Sequence, residues 1–207
     1  MEATPTIWTQ ALSIWASGGW GMIALAVDAV LIFYLGMSIF GRIRAKGYLY
    51  VGEQKMKRWI KKPETGRGPV GKMVRFVMGA KNLKEISIYF DELHQTEIAP
   101  FDRDLKVMQT CVSVAPLLGL LGTVTGMLST FGALATGSGG DKTMGMVASG
   151  ISEALITTET GLLIALPGLI FQYKLSREHG TYKAFLAHLQ TVCTQRLYKQ
   201  NQKAKAQ

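Results

Sequence analysis

Apolar positions along the chain fall into three long blocks separated by strongly polar ones. The first block, Trp20 to Phe40, holds a single charge, Asp28. The second, Val107 to Leu134, holds none, and the third, Met144 to Tyr173, holds only Glu153 and Glu159. A hydrocarbon layer of ~30 Å is crossed by roughly 20 apolar residues in a helix, so each block is long enough to span one. Helices buried in a soluble core seldom run this long without a polar face. The pattern therefore predicts an all-α integral membrane protein with spans at 20–40, 107–134 and 147–173.

Between and after the spans the period changes. Leu83, Ile86, Phe90, Leu93 and Glu97 recur at steps of three and four, as do Tyr182, Phe185, Leu186, Leu189, Val192, Cys193 and Leu197. Both runs predict amphipathic helices that prolong the spans and pack together. Pro100 predicts a break or kink, because proline has no backbone N–H to donate. The Pro- and Gly-rich run "KKPETGRGPVG" (Lys61 to Gly71) predicts a turn or loop. At the start, Thr4 and Pro5 make a helix cap, and Trp8, Leu12, Trp15 and Trp20 predict an amphipathic helix over 1–19 at the outer headgroup layer.

Charge gives the orientation. No Lys or Arg precedes Trp20, fifteen fall between Gly41 and Lys106, one (Lys142) lies in the 135–146 loop, and seven follow from Lys174 onward. Lys and Arg collect in cytoplasmic segments. The expected arrangement is an outer amino terminus, a cytoplasmic helical region at 41–106, a short periplasmic loop at 135–146 and a cytoplasmic helical tail at 174–207. The net charge of +9 is then a topology signal rather than a mark of nucleic-acid binding. The first nineteen residues lack the basic n-region of a cleavable signal, so the first apolar block is expected to remain as a span.

Little in the chain suggests reaction chemistry. Cys111 and Cys193 fall in or near cytoplasmic segments, where no disulfide is expected. His94, His179 and His188 lack metal-ligand spacing, and no cofactor or metal is expected. There is no nucleotide-binding loop or nucleophile constellation, so the chain is not expected to be an enzyme.

The polar residues inside the spans carry the functional signal. A carboxylate at mid-membrane costs roughly 2.5–3.5 kcal/mol on insertion scales, and this chain keeps three: Asp28, of uncertain role, Glu153 and Glu159. Helical spacing puts Glu153, Thr157 and Thr160 on one face, a track of acid and hydroxyls suited to water and protons. Glu159 lies about 120° from Glu153 at ~100° per residue, so it is expected to face a neighbouring helix or a pore wide enough to show two faces, and it joins Thr123, Glu153, Thr157, Thr158 and Thr160 as a candidate lining residue of the ion pathway. The second span adds Gly119, Gly122 and Gly126, which permit close helix packing, and the hydroxyls of Thr123 and Thr130.

"APLLGLLGTVTGM" in the second span followed by "GISEALITTETGLLIALPG" in the third resembles the ExbB/TolQ/MotA proton-channel superfamily, and ExbB and TolQ most. The resemblance covers nearly the whole chain and is most specific over residues 111 to 173. It implies an inner-membrane homo-pentamer around the single spans of two ExbD- or TolR-type partners, driven by the proton gradient and acting on a TonB- or TolA-type protein that crosses the periplasm. The expected role is energising TonB-dependent uptake of iron complexes or vitamins; a TolQ-like role in outer-membrane integrity and a non-conducting membrane scaffold are the alternatives. By motif match, Thr123 and Thr158 are the polar residues near the partner's ionisable aspartate, Glu153 is the important acid, and Pro116 and Pro167 stand at matching prolines. Glu159 departs from the pattern, since related sequences often carry an apolar or neutral residue there. Protons are the expected ion.

Overall fold

The computed structural model describes residues 15, 17–47, 51–80, 82–136 and 140–205, and among these the regular structure is entirely helical. The helices are α1 (Gly21–Ala45), α2 (Glu53–Lys61), α3 (Gly68–Met78), α4 (Leu83–Leu93), α5 (Ala99–Thr136) and α6 (Asp141–Lys205). Three helical stretches, Gly21–Ala45, Leu83–Thr136 and Asp141–Lys199, are long and apolar enough to cross a membrane. Most of the expected outer helix over 1–19 lies outside the described residues; of the tryptophans assigned to it Trp15 and Trp20 are described, and both are exposed.

Local chemistry sets the helix ends. The Lys61–Gly71 loop is shorter than its composition predicts. Pro63–Thr65 closes a 3-10 turn, and α3 starts at Gly68 with proline at its first turn, where the missing N–H costs nothing. Gly66 and Gly71 meet backbone to backbone, so neither position accepts a Cβ. Pro100 acts upstream of itself. Without an N–H it cannot bond the carbonyl of Thr96, and His94–Ile98 widens into a π turn in which Ala99 N–H reaches the His94 carbonyl. Beyond it α5 runs unbroken through Pro116, as α6 does through Pro167. The 135–146 loop is also tighter than expected. Gly140, at φ +101°, precedes Asp141, whose carboxylate suits a helix amino terminus.

The chain forms two compact units, and α1, α5 and α6 each contribute to both. The first comprises Met1–Leu35 and Val107–Gln172, the second Gly36–Lys106 and Tyr173–Gln207. In the first unit a thin buried layer, including Leu25, Ile32, Val112, Ala115, Ala154 and Ala165, lies under an outer surface of exposed Ile, Leu, Val and Phe side chains. That is the reverse of a water-soluble protein and fits a surface in lipid.

The second unit has an ordinary core. Met56, Ile60, Val70, Val74, Val77, Ile86, Phe90 and Leu93 are buried, as are Tyr182, Leu186, Leu189, Cys193 and Leu197 of α6. Of the predicted stripes Ile86, Phe90, Leu93, Tyr182, Leu186, Leu189, Cys193 and Leu197 are core, Glu97, Phe185 and Val192 are half-buried, and Leu83, at the first position of α4, stays exposed. Ion pairs ring this core: Arg42 with Asp104, Lys46 with Glu97, and Lys183 with Asp102 at 2.7 Å. His179, almost fully buried, brings Nε2 to within 3.0 Å of the same Asp102 oxygen and lies against Phe101, over which Arg42 sits.

Candidate functional site: the membrane unit

The unit is closed by a seam of small residues between α5 and α6. A Cβ on Gly126 would stand 2.6 Å from the Gly150 carbonyl and 2.9 Å from the Ala154 Cβ. One on Gly119 would meet Thr157 and Thr158 backbone at 3.0 Å, and one on Gly161 would meet the Ala115 carbonyl at 2.7 Å. Gly122 lies directly against the Thr157 side chain. Gly168 continues the seam against Val112, with Ile32 of α1 nearby. Lipid supplies no hydrophobic drive for helix association, so bare backbone surfaces at this spacing supply the contact instead. Gly119, Gly122 and Gly126 of α5 each lie against α6.

Pro116 and Pro167 stand one residue from the seam positions Ala115 and Gly168 and leave both helices intact. Beside Pro167, a cavity of about 450 Å³ opens between α1 and α6, lined by Ile32, Phe33, Leu163, Ile164 and Phe171 among others. Its wall is apolar, suited to hydrocarbon rather than to an ion.

The hydroxyls are spent locally. Thr123 donates to the Leu120 carbonyl (2.7 Å), Thr130 to Met127 (2.7 Å), Thr157 to Glu153 and Ala154 (3.0 Å each) and Thr160 to Ile156 (2.8 Å). Thr158 alone reaches across the seam, to the Gly119 carbonyl at 3.1 Å, while also bonding Ala154. These bonds satisfy each threonine's donor on a backbone carbonyl.

The track Glu153–Thr157–Thr160 is not one open surface. Thr157 is 1% exposed, enclosed against Gly122, while Glu153 and Thr160 are half-buried on either side of it. Equal helical phase does not mean equal exposure once a neighbouring helix covers the middle of the track. Thr123 and Thr158 are half-buried, at the margins of the seam.

Each acid has its own setting. The Glu153 carboxylate rests on the turn before α1, against Gly19 at φ +63°, so a Cβ at that glycine would collide with it. Asp28 is buried on α1 with its carboxylate in hydrogen-bonding reach of Cys111 on α5, and its Oδ2 has no partner. Glu159 is exposed. Spacing along the sequence gave no sign of the Gly19–Glu153 or Asp28–Cys111 contacts, which join separate helical segments. Among the described residues no cluster of His, Cys, Asp and Glu could hold a metal ion.

These features make a three-span helical protein that keeps carboxylates in its membrane unit. Residues 70–186 match the MotA/TolQ/ExbB proton channel family, and the chain belongs to that family. It is 48% identical over 75 residues to a Synechocystis protein named ExbB-like 1, covering 36% of this chain and 30% of that protein. It is 40% identical over 80 residues to the Tol-Pal system protein TolQ of Haemophilus influenzae, covering 39% and 34%. It is 35% identical over 79 residues to the biopolymer transport protein ExbB of Salmonella typhimurium, covering 38% and 32%. The matched stretch is thus about a third of the length of each of these relatives.

Proposed function

We propose that this chain is the wall subunit of a bacterial inner-membrane complex that turns the proton-motive force into mechanical work on a periplasmic transport system. In this reading the amino terminus is periplasmic and the carboxyl terminus cytoplasmic, as the Lys and Arg distribution favours. Five copies surround the single spans of two ExbD/TolR-type partners, and a TonB- or TolA-type protein receives the motion. The observation that carries the reading is family membership across both motif-bearing helices, joined to a glycine seam that leaves Glu153 and Glu159 uncovered, at least in part, in a membrane unit.

Protons are the transported ion. Glu153, Thr123 and Thr158 line their route, with Thr157 and Thr160 behind and beside Glu153. TonB-dependent uptake is the first role; TolQ-like maintenance of the outer membrane is the second, favoured by the match to TolQ.

The test is co-expression with an ExbD/TolR-type single-span protein, followed by native mass spectrometry and proton uptake in proteoliposomes. Five copies of 22.6 kDa with a smaller partner, and flux lost in Glu153→Gln and Thr123→Ala at unchanged composition, are expected. A monomer without partner, or full flux in both variants, overturns the reading.

A further inference from the structure

Part of the positive charge of the second unit lies beyond what topology uses. From 51 to 75 there are eight Lys and Arg against two Glu, and from 190 to 207 four against no Asp or Glu. Orientation is set by basic residues within roughly 15–20 residues of a span end. Lys61 lies 21 residues past Phe40, and Arg196 lies 23 past Tyr173. The orientation of the spans therefore does not account for them.

The fold gathers these charges. Nη2 of Arg196 donates to the Lys61 carbonyl at 3.3 Å, so the last part of α6 meets the end of α2. Met56 and Ile60 of α2 are buried, while Lys55, Arg58 and Lys61 are exposed, with Lys62 exposed after them. Lys199 is exposed three residues beyond Arg196. Among the described residues none of these six is paired with a carboxylate. Uncompensated like charge opposes the compact state, and a chain of opposite sign laid across it relieves the repulsion.

A cavity of about 310 Å³ opens in the same unit, lined by Val51, Met56, Phe185 and His188. Met56 directly follows Lys55, so the cavity wall adjoins the basic surface in the chain. Val51, Met56 and Phe185 give it apolar sides, and His188 is exposed. A recess of this kind takes a branched or aromatic side chain, while the ammonium and guanidinium heads around it pair with carboxylates. Headgroups of the surrounding bilayer fit this surface poorly. Arg196 is about 35 Å along α6 from Tyr173 at 1.5 Å per residue, several times the ~8 Å over which charge is felt at physiological salt.

We propose that the surface formed by the ends of α2 and α6 docks an acidic segment of another protein, whose Asp and Glu side chains meet Lys55, Arg58, Lys61, Lys62 and Lys199 and whose one bulky apolar side chain enters the cavity. This goes beyond the proposed function and stands whether or not protons pass through the membrane unit.

The test uses the full chain in nanodiscs of phosphatidylcholine, which carries no net charge. The probe is a fluorescein-labelled peptide of alternating Asp and Glu with a single central Leu, followed by anisotropy. Saturable binding is expected, weakened threefold or more when the peptide Leu is replaced by Ser. Lys55→Glu is expected to weaken binding threefold or more. Lys142→Glu, the same change of net charge at the other end of α6, is expected to leave it within twofold. His188→Trp, which fills the cavity from an exposed position, is expected to make the Leu and Ser peptides bind alike. No binding, equal weakening in Lys55→Glu and Lys142→Glu, or indifference to the peptide Leu overturns the inference. Tighter binding of a single-stranded oligonucleotide of equal charge also overturns it, and would make the surface a nucleic-acid site.

Discussion

Asp102 accepts from His179 through a single oxygen, Oδ1, at 3.0 Å, and Lys183 reaches that same oxygen at 2.7 Å. A carboxylate can only accept, so Nε2 of His179 carries the proton, and Nδ1 is left buried without a partner. A second proton on this ring would create an unsatisfied buried donor beside the Lys183 ammonium. Burial, followed by the Lys183 charge, holds the His179 pKa below its ordinary 6.5, against the pull of Asp102. Burial pushes the Asp102 carboxyl up, but the bonds from Lys183 and His179 together outweigh it and hold its pKa below 3.8.

Both shifts give the same sign. Below pH 6.5 the unfolded histidine binds a proton that the folded one resists, so stability falls as pH drops through that value. The stability tied to Asp102 is present above 3.8 and is lost as pH falls toward its lower folded value. Melting of the detergent-solubilised protein at pH 8 and pH 5.5 is expected to show a lower transition at the acidic pH. His179→Gln is expected to flatten the part of that dependence lying near neutrality. Asp102→Asn is expected to cost about 1–3 kcal/mol by weakening the acceptor of a buried donor.

The seam predicts a contrast between glycines. Gly126→Ala places a methyl group 2.6 Å from the Gly150 carbonyl, and overpacking of this kind costs about 1–3 kcal/mol. Gly132→Ala, with nothing within 4 Å of its added Cβ, is expected to be neutral. Thermal melts of the two variants beside the parent check this.

Gly19 and Glu153 are expected to behave as a pair. Gly19→Ala meets two penalties, a left-handed backbone, at about 1–2 kcal/mol, and a clash with the carboxylate. Glu153→Ala removes only the second. A double-mutant cycle on melting is expected to give a coupling of about 0.5–3 kcal/mol, with the double variant less destabilised than the sum of the singles. Strict additivity would mean that the two residues do not touch.

Cys193 is fully buried, and burial pushes its thiol up to about 11. At pH 7 about one thiol in ten thousand is then thiolate, the reactive form. Maleimide labelling at this position is expected only after unfolding in detergent, and Cys193→Ser abolishes the late-labelling fraction.

The spans and the amphipathic stripes were legible because burial and lipid both impose a period on one helix at a time. The seam was legible for the same reason: Gly119, Gly122 and Gly126 advertise a bare face whatever lies against it. Contacts between distant segments carry no such period. Asp28 with Cys111, Gly19 with Glu153, and His179 with Asp102 each join residues from different stretches, and neither partner marks the other in sequence. The acid–hydroxyl track failed at Thr157 for a related reason. Phase around a helix fixes direction, while exposure depends on what the facing helix puts there, and here that is Gly122. Pro100 was legible as a disturbance, but its effect is the π turn preceding it, because the proline deprives a carbonyl one turn earlier.

The threonines that turn their protons back onto their own helices have one more consequence. A hydroxyl whose hydrogen is committed offers the outside only electron density. Where such an oxygen met a pore, it would accept from hydronium or coordinate a metal cation rather than bind chloride. Such a lining also resists direct proton hopping from one hydroxyl to the next, since each hop would first break a bond to the backbone.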